Sequence, residues 1–181
     1  MARAWLLVGW IAFMGGCSSD DDGGGTGGTG NVSPSCASPT TDVEKNECDI
    51  LALVNQQRLQ GATCGGQQMP AAPPLEMHPV LRQVARGHAE DMAQNDYFRH
   101  DSLDGRSPFD RMKAAGYDFS QAGENIVAGS PTAAAAMQEW MGSPGHCQNI
   151  MEGGYVHIGV GYAYSDGHQY GHLWVQDFGS P

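Results

Sequence analysis

The chain has 181 residues and carries 20 acidic against 9 basic side chains, a formal charge of −11. An excess of acid on this scale argues against a nucleic-acid partner and against a cationic membrane-surface binder. Setting aside the first 35 residues leaves a stretch of ordinary single-domain length, long enough to bury a real core.

Residues 1–16 read as a targeting segment. Arg3 supplies a minimal positive end, and the apolar run 4–13 is too short to span a bilayer as a helix. Met14-Gly15-Gly16-Cys17 then has the form of a lipoprotein signal peptide, small residues before a cysteine that takes the lipid. An ordinary secretory signal is the alternative. Ser18 in place of aspartate favours sorting to the outer membrane or cell surface, with lipid on Cys17 as the membrane contact and no transmembrane helix needed. Residues 17–41 follow as a tether: Asp20-Asp21-Asp22 and the glycine run after it show no apolar periodicity and cannot offset their ordering entropy. The folded domain is expected over 42–181.

With Cys17 lipidated, four cysteines remain, an even number that implies disulfides in an exported chain. Cys36 and Cys48 lie close together around the first helix, and Cys64 and Cys147 both sit in Gly-rich turns. The favoured pairing is Cys36–Cys48 and Cys64–Cys147. A four-cysteine zinc site is the competing reading, without a C-x-x-C pair to support it.

In chain order, Asp42 caps a first helix through about Gln60, with Val43, Ile50, Leu51, Val54 and Leu59 as its apolar stripe and Gly61 past its end. Residues 65–74 read as a loop. A second helix opens at Pro79 and buries Leu81, Val84, Ala85, His88 and Met92 on one face, which makes His88 a packed core histidine. His100 falls in the loop after it, where a polar side chain is easily presented. Ser107-Pro108 starts a short third helix with Phe109 and Met112 inward. Residues 123–129 are a brief extended segment with Glu124 at its start. The next helix is expected to be capped by Ser130 and to carry Met137, Trp140 and Met141. Ser143-Pro144-Gly145 then stops it and sets His146 down in a tight turn beside Cys147. Two strands, 156–164 and 173–178, close the chain across a turn at Ser165-Asp166-Gly167. Helices early and strands late give an α+β pattern with an antiparallel sheet.

Several blocks in this order resemble one family: His88-Ala89-Glu90-Asp91-Met92-Ala93, the loop 100–105, Ala115-Gly116-Tyr117, Gly123-Glu124-Asn125-Ile126, Trp140-Met141-Gly142-Ser143-Pro144-Gly145-His146-Cys147-Gln148-Asn149-Ile150 and Ile158-Gly159-Val160-Gly161. Together they resemble the CAP superfamily (cysteine-rich secretory proteins, antigen 5, pathogenesis-related-1) in its bacterial SCP-like branch. The resemblance covers about 42–179. It implies a three-layer α-β-α sandwich around a central antiparallel sheet, with a cleft holding two histidines and two acids. His100 and His146 match the histidines and Glu124 the first acid. The second acid of eukaryotic relatives falls near Ser143 here, and Glu139, before Trp140, points along another direction of the helix.

Two imidazoles and a carboxylate suit Zn2+ or another divalent cation, with water in a fourth position. The same three residues could instead serve as acid and base for a peptidase or esterase, or form a hydrogen-bonded cluster that only fixes the loops. No nucleophile is presented, since Ser102 and Ser143 lack any signature and Gly-x-Ser-x-Gly is absent. The expected function is therefore a lipid-anchored binding module at the cell envelope. Its ligand is a small apolar molecule, a glycan or a protein, with hydrolysis as the alternative.

Overall fold

The structure, a computed structural model, describes residues 36–181. The expected targeting segment, Cys17 and most of the tether lie outside the described residues. Five helices and six strands follow in the order α1 (Asp42–Gln60), β1 (Ala62–Cys64), β2 (Gln67–Met69), β3 (Glu76–Met77), α2 (Pro79–Asn95), α3 (Pro108–Ala114), β4 (Gln121–Ala128), α4 (Ala133–Gly142), α5 (Pro144–Met151), β5 (His157–Tyr164) and β6 (His172–Ser180). The main sheet has the order β3-β5-β6-β4. It is antiparallel through β5, β6 and β4, and the two-residue β3 adds in parallel at the far edge. Helices α1, α4 and α5 cover one face, α2 and α3 the other. This is the α-β-α sandwich expected from the sequence.

The alternation of β-strand side chains sorts the residues between layers. Trp174 and Phe178 of β6 enter the core under α1, α4 and α5, packed with Ile50, Val54, Trp140, Ile150 and Ile158. Leu173 and Val175 face the opposite way, onto Ala85, Ala89 and Met92 of α2. By the same period, Glu124 and Asp177 belong to the α2–α3 face, and Asn125 and Gln176 to the α5 face.

Helix α2 lies unusually close to β5. A Cβ added to Gly159 would stand 2.1 Å from the Leu81 carbonyl carbon, and one added to Gly161 would stand 2.2 Å from that of Ala85. Those two glycines share one face of the strand and receive two successive turns of the helix. Around the β3–β5 edge, buried Glu47 of α1 accepts from Arg82 Nε at 2.6 Å and Arg86 Nη2 at 2.6 Å, tying the outer layers together.

Several local expectations are corrected. The cap of α4 is Thr132, whose side chain accepts from the Ala135 amide, and not Ser130. Ser143-Pro144-Gly145 does not form a free turn: Ser143 is the N-cap of a new helix with Pro144 at its first position. Pro tolerates that position because its missing N–H would have no partner there. His146 therefore rides on α5. Phe109 is 43% exposed and Leu59 64% exposed, so neither joins the core. The stretch 65–74 is not wholly loop, because Gly65-Gly66 turn a small hairpin, β1–β2, at positive φ. The connection from β5 to β6 spans residues 165–171, longer than the tight turn read at 165–167.

Candidate functional site

Glu124 is the centre of the site. Its strand, β4, is an edge of the sheet, and its side chain is buried with 2% exposure. Each carboxylate oxygen has a partner: Oε1 accepts from His100 Nδ1 at 2.7 Å, and Oε2 from Arg111 Nη2 at 2.5 Å. Arg111 comes from α3, where Ser107 and Asp110 form a capping box that fixes the helix start. Its Nη1 also donates to the His100 carbonyl at 2.8 Å and to Ser102 Oγ at 3.2 Å. One guanidinium thus holds both the acid and the loop that carries the histidine. The sequence reading did not reach Arg111. Its burial follows from sharing a helix face with Pro108 and Met112, but that face is too short to stand out.

Asp177 is a second acid that the sequence reading did not reach. It stands directly opposite Glu124 in the β4–β6 register and is fully buried. Cross-strand neighbours bring their Cβ atoms to within about 4.5–5.5 Å. Burial first, and then the Glu124 carboxylate, push the Asp177 carboxyl well above the usual carboxylate range. Near Ser143, where the family pattern would place an acid, Glu139 instead accepts from Ser130 Oγ at 2.7 Å.

His146 arrives from the other layer. Helix α5 is pinned at its end by Arg58, which is buried and donates to the carbonyls of Ile150 and Glu152, each at 2.8 Å. On its side, Cys147 is bonded to Cys64, as Cys36 is to Cys48. At its inner face, Asn125 Nδ2 donates to the His146 carbonyl at 3.1 Å, and Asn149 Nδ2 donates to Asn125 Oδ1 at 2.9 Å. The Gly-Glu-Asn segment thus aims Glu124 at one layer and uses Asn125 to hold the other.

Electrostatics join the two histidines. The Glu124 hydrogen bond raises the pKa of His100 above that of an ordinary histidine. Desolvation, and then the charge of His100, lower that of His146. The imidazoles are near enough that protonating one disfavours protonating the other. Of the three residues expected to form the site, His100 and Glu124 are in direct contact and His146 is within electrostatic reach. Among the described residues no three His, Cys, Asp or Glu side chains gather tightly enough to hold an ion as a preformed group. His157, whose face the sequence left open, accepts or donates at Nδ1 with Tyr117 Oη at 3.0 Å and packs against His78, away from this site.

Comparison with known proteins agrees with this architecture. The profile of the cysteine-rich secretory protein family (CAP) matches residues 51–178. An uncharacterised Bacillus subtilis protein, YkwD, is 33% identical over 150 residues, covering 83% of this chain and 56% of its own length. Among solved structures, an extracellular SCP-domain protein of Bacillus anthracis aligns with a TM-score of 0.64 at 28% identity, over 80% of this chain and 45% of that one. A cysteine-rich secretory protein of Staphylococcus aureus aligns with a TM-score of 0.58 at 13% identity, over 79% of this chain and 41% of its own, and shows the shared fold. The chain thus spans about half the length of these relatives.

Proposed function

The chain belongs to the cysteine-rich secretory protein (CAP) family, and from that premise we propose that it is a lipid-anchored binding module of the cell envelope whose cleft takes a divalent cation. His100 and His146 would supply the ligands, and Glu124 would stand behind His100. One observation carries the reading: His100 Nδ1 is committed to Glu124 at 2.7 Å, leaving Nε2 of a half-exposed imidazole as the nitrogen open to a ligand. A histidine whose other nitrogen donates to a carboxylate is the usual arrangement behind a bound metal, since the acid fixes the tautomer and raises ligand basicity. The donor set fits Zn2+ or a similar ion held by two imidazoles, with water completing the shell. Such an ion would supply a positive centre for an anionic or carbonyl oxygen of a ligand.

The same geometry weakens the hydrolase alternative. Glu124 is buried and ion-paired, so it makes a poor general base. Ser102 is buried and its Oγ accepts from Arg111, and the four cysteines among the described residues are all in disulfides. The two disulfides themselves suit an oxidising, extracytoplasmic compartment.

Calorimetry with zinc on the wild type and on His100→Ala, His146→Ala and Glu124→Gln tests the reading. Each histidine change should abolish measurable binding, and Glu124→Gln should weaken it by about 10–100-fold. Equal binding in all four proteins refutes the site. Turnover of peptide or ester substrates, lost with either histidine, would establish the hydrolase reading instead.

A further inference from the structure

The connection from β5 to β6, residues 165–171, closes on itself: the Ser165 amide donates to the Gly171 carbonyl at 3.0 Å. From this turn the side chain of His168 reaches inward and is fully buried. Its two ring nitrogens have fixed and opposite roles. Nε2 stands 3.2 Å from the Tyr97 carbonyl, which only accepts, so Nε2 carries the proton. Nδ1 accepts from the Tyr170 amide at 3.1 Å, so it is bare. The neutral ring thus joins its own connection to the segment between α2 and α3, and satisfies both partners.

That segment leads to His100, and three donors hold its carbonyls. His168 holds that of Tyr97, His88 that of Arg99 at 3.0 Å, and Arg111 that of His100 at 2.8 Å. Only His168 comes from the β5–β6 connection. Beside it, Phe98 packs edge-on against Tyr170 with ring centroids 5.9 Å apart, and both rings are exposed.

A second proton changes the partners of His168. Placed on Nδ1, it faces the Tyr170 N–H donor to donor, and that bond is lost. The imidazolium then has a stronger acceptor at hand than the Tyr97 carbonyl. Asp96 Oδ1 lies 3.8 Å from Nε2, on a carboxylate that is 63% exposed. Hydrogen bonds between charged groups are roughly twice as strong as neutral ones. Asp96 caps the end of α2, and its one partner from the connection is the Gln169 amide at 3.4 Å. The other ionisable groups around the ring are engaged elsewhere. Asp91 accepts from Tyr97 Oη, Arg99 lies over the Tyr97 ring at 5.5 Å, Asp166 accepts from Tyr164 Oη, and His172 Nδ1 is paired with Tyr162 Oη.

We propose that His168 is an acid-operated latch. Its neutral ring clasps the β5–β6 connection to the segment that presents His100, and its charged ring releases Tyr97 and Tyr170 in favour of Asp96. The Phe98–Tyr170 contact is the seam that parts. Imidazole is the side chain suited to such a device, since it ordinarily changes charge between about pH 5 and 8. The latch concerns the fold around His100 and stands whether or not that histidine binds an ion.

The test is NMR of the metal-free protein between pH 8 and pH 5. Long-range 1H–15N spectra report the protonation of His168, and amide exchange reports the Tyr170 bond, with Trp174 and Val175 of the central strand as controls. The expected result is the Nε2–H tautomer at pH 8. On acidification, Tyr170 protection should fall at least tenfold at the midpoint where Nδ1 gains its proton, with Trp174 and Val175 unchanged. His168→Gln, which does not titrate, should make Tyr170 protection independent of pH. Asp96→Asn keeps a residue that tolerates the left-handed cap, and should move the midpoint to lower pH because the charged ring loses its carboxylate. Protonation of His168 with Tyr170 still protected, or loss of protection only together with Trp174 and Val175, overturns the latch. So does a wild-type pH profile in folded His168→Gln. An unmoved midpoint in Asp96→Asn overturns the exchange of partners.

Discussion

Arg111 is the residue on which the cleft depends. It neutralises Glu124, holds the His100 carbonyl and touches Ser102, with 7% of its side chain exposed. Removing one partner of a buried ion pair strands the other, at a cost of about 3–5 kcal/mol. Arg111→Ala should therefore lower the unfolding free energy by about that amount in chemical denaturation. Arg111→Lys should recover only part of it, because an ammonium cannot bridge the acid and the loop in the same fork geometry. His88 gives a second prediction at this scale. Burial, and next the charge of Arg111, hold its pKa below that of an ordinary histidine, against the weaker opposing pull of Glu124, the Arg99 carbonyl and Asp91. The unfolded state then binds the proton more readily than the folded one, so stability is full above the unfolded-state value and falls as pH drops through it towards the folded-state value. Thermal midpoints measured from pH 7 to pH 5 should decline, and less steeply in His88→Phe. An identical slope in both proteins would remove His88 from the account.

At the scale of elements, the seat of α2 on β5 is fixed by Gly159 and Gly161, where an added methyl would strike helix backbone rather than a yielding side chain. Overpacking ordinarily costs about 1–3 kcal/mol. Gly159→Ala and Gly161→Ala should each reach about 3 kcal/mol or more, since neither α2 nor the central strand can move aside. Calorimetric melts of the two variants check this. Helix α5 depends instead on its staples. Separating Cys64 from Cys147 by the double change to serine should cost about 2–5 kcal/mol, and should broaden the His146 resonances while leaving His100 sharp.

These elements also show what was legible in the chain. Helices α1 and α2 were, because their burial repeats at helical spacing and Gly61 and Pro79 mark their ends. Helix α5 was not: Ser143-Pro144-Gly145 carries the chemistry of a helix stop and of a helix start alike, and only packing against Asn125 and Arg58 decides between them. His100, Glu124 and His146 were identified by resemblance to family motifs. Asp177 was hidden because an acid between Gln176 and Phe178 reads as a solvated turn of the alternation. The sheet register that sets it beside Glu124 joins residues 53 positions apart, and no local pattern encodes it.

For the whole molecule, the sandwich brings His146 of α5 within electrostatic reach of His100, whose imidazole is hydrogen-bonded to Glu124 of the edge strand β4. No helix among the described residues is long and apolar enough to cross a membrane, so the proposed attachment rests on the Met14-Gly15-Gly16-Cys17 motif. Cys17→Ser should move the protein from the membrane to the soluble fraction and remove lipid mass from the N-terminal peptide; unchanged fractionation would dismiss the anchor. The central claim, that the cleft is a cation-binding site organised by Glu124 from behind His100, is tested most directly by anomalous diffraction from crystals soaked in zinc. The account predicts a zinc peak bonded to His100 Nε2 and to the His146 imidazole, with Glu124 still hydrogen-bonded to His100 Nδ1 and to Arg111. A cleft without a zinc peak, or a peak bonded to Glu124 with the His100 contact broken, would contradict it.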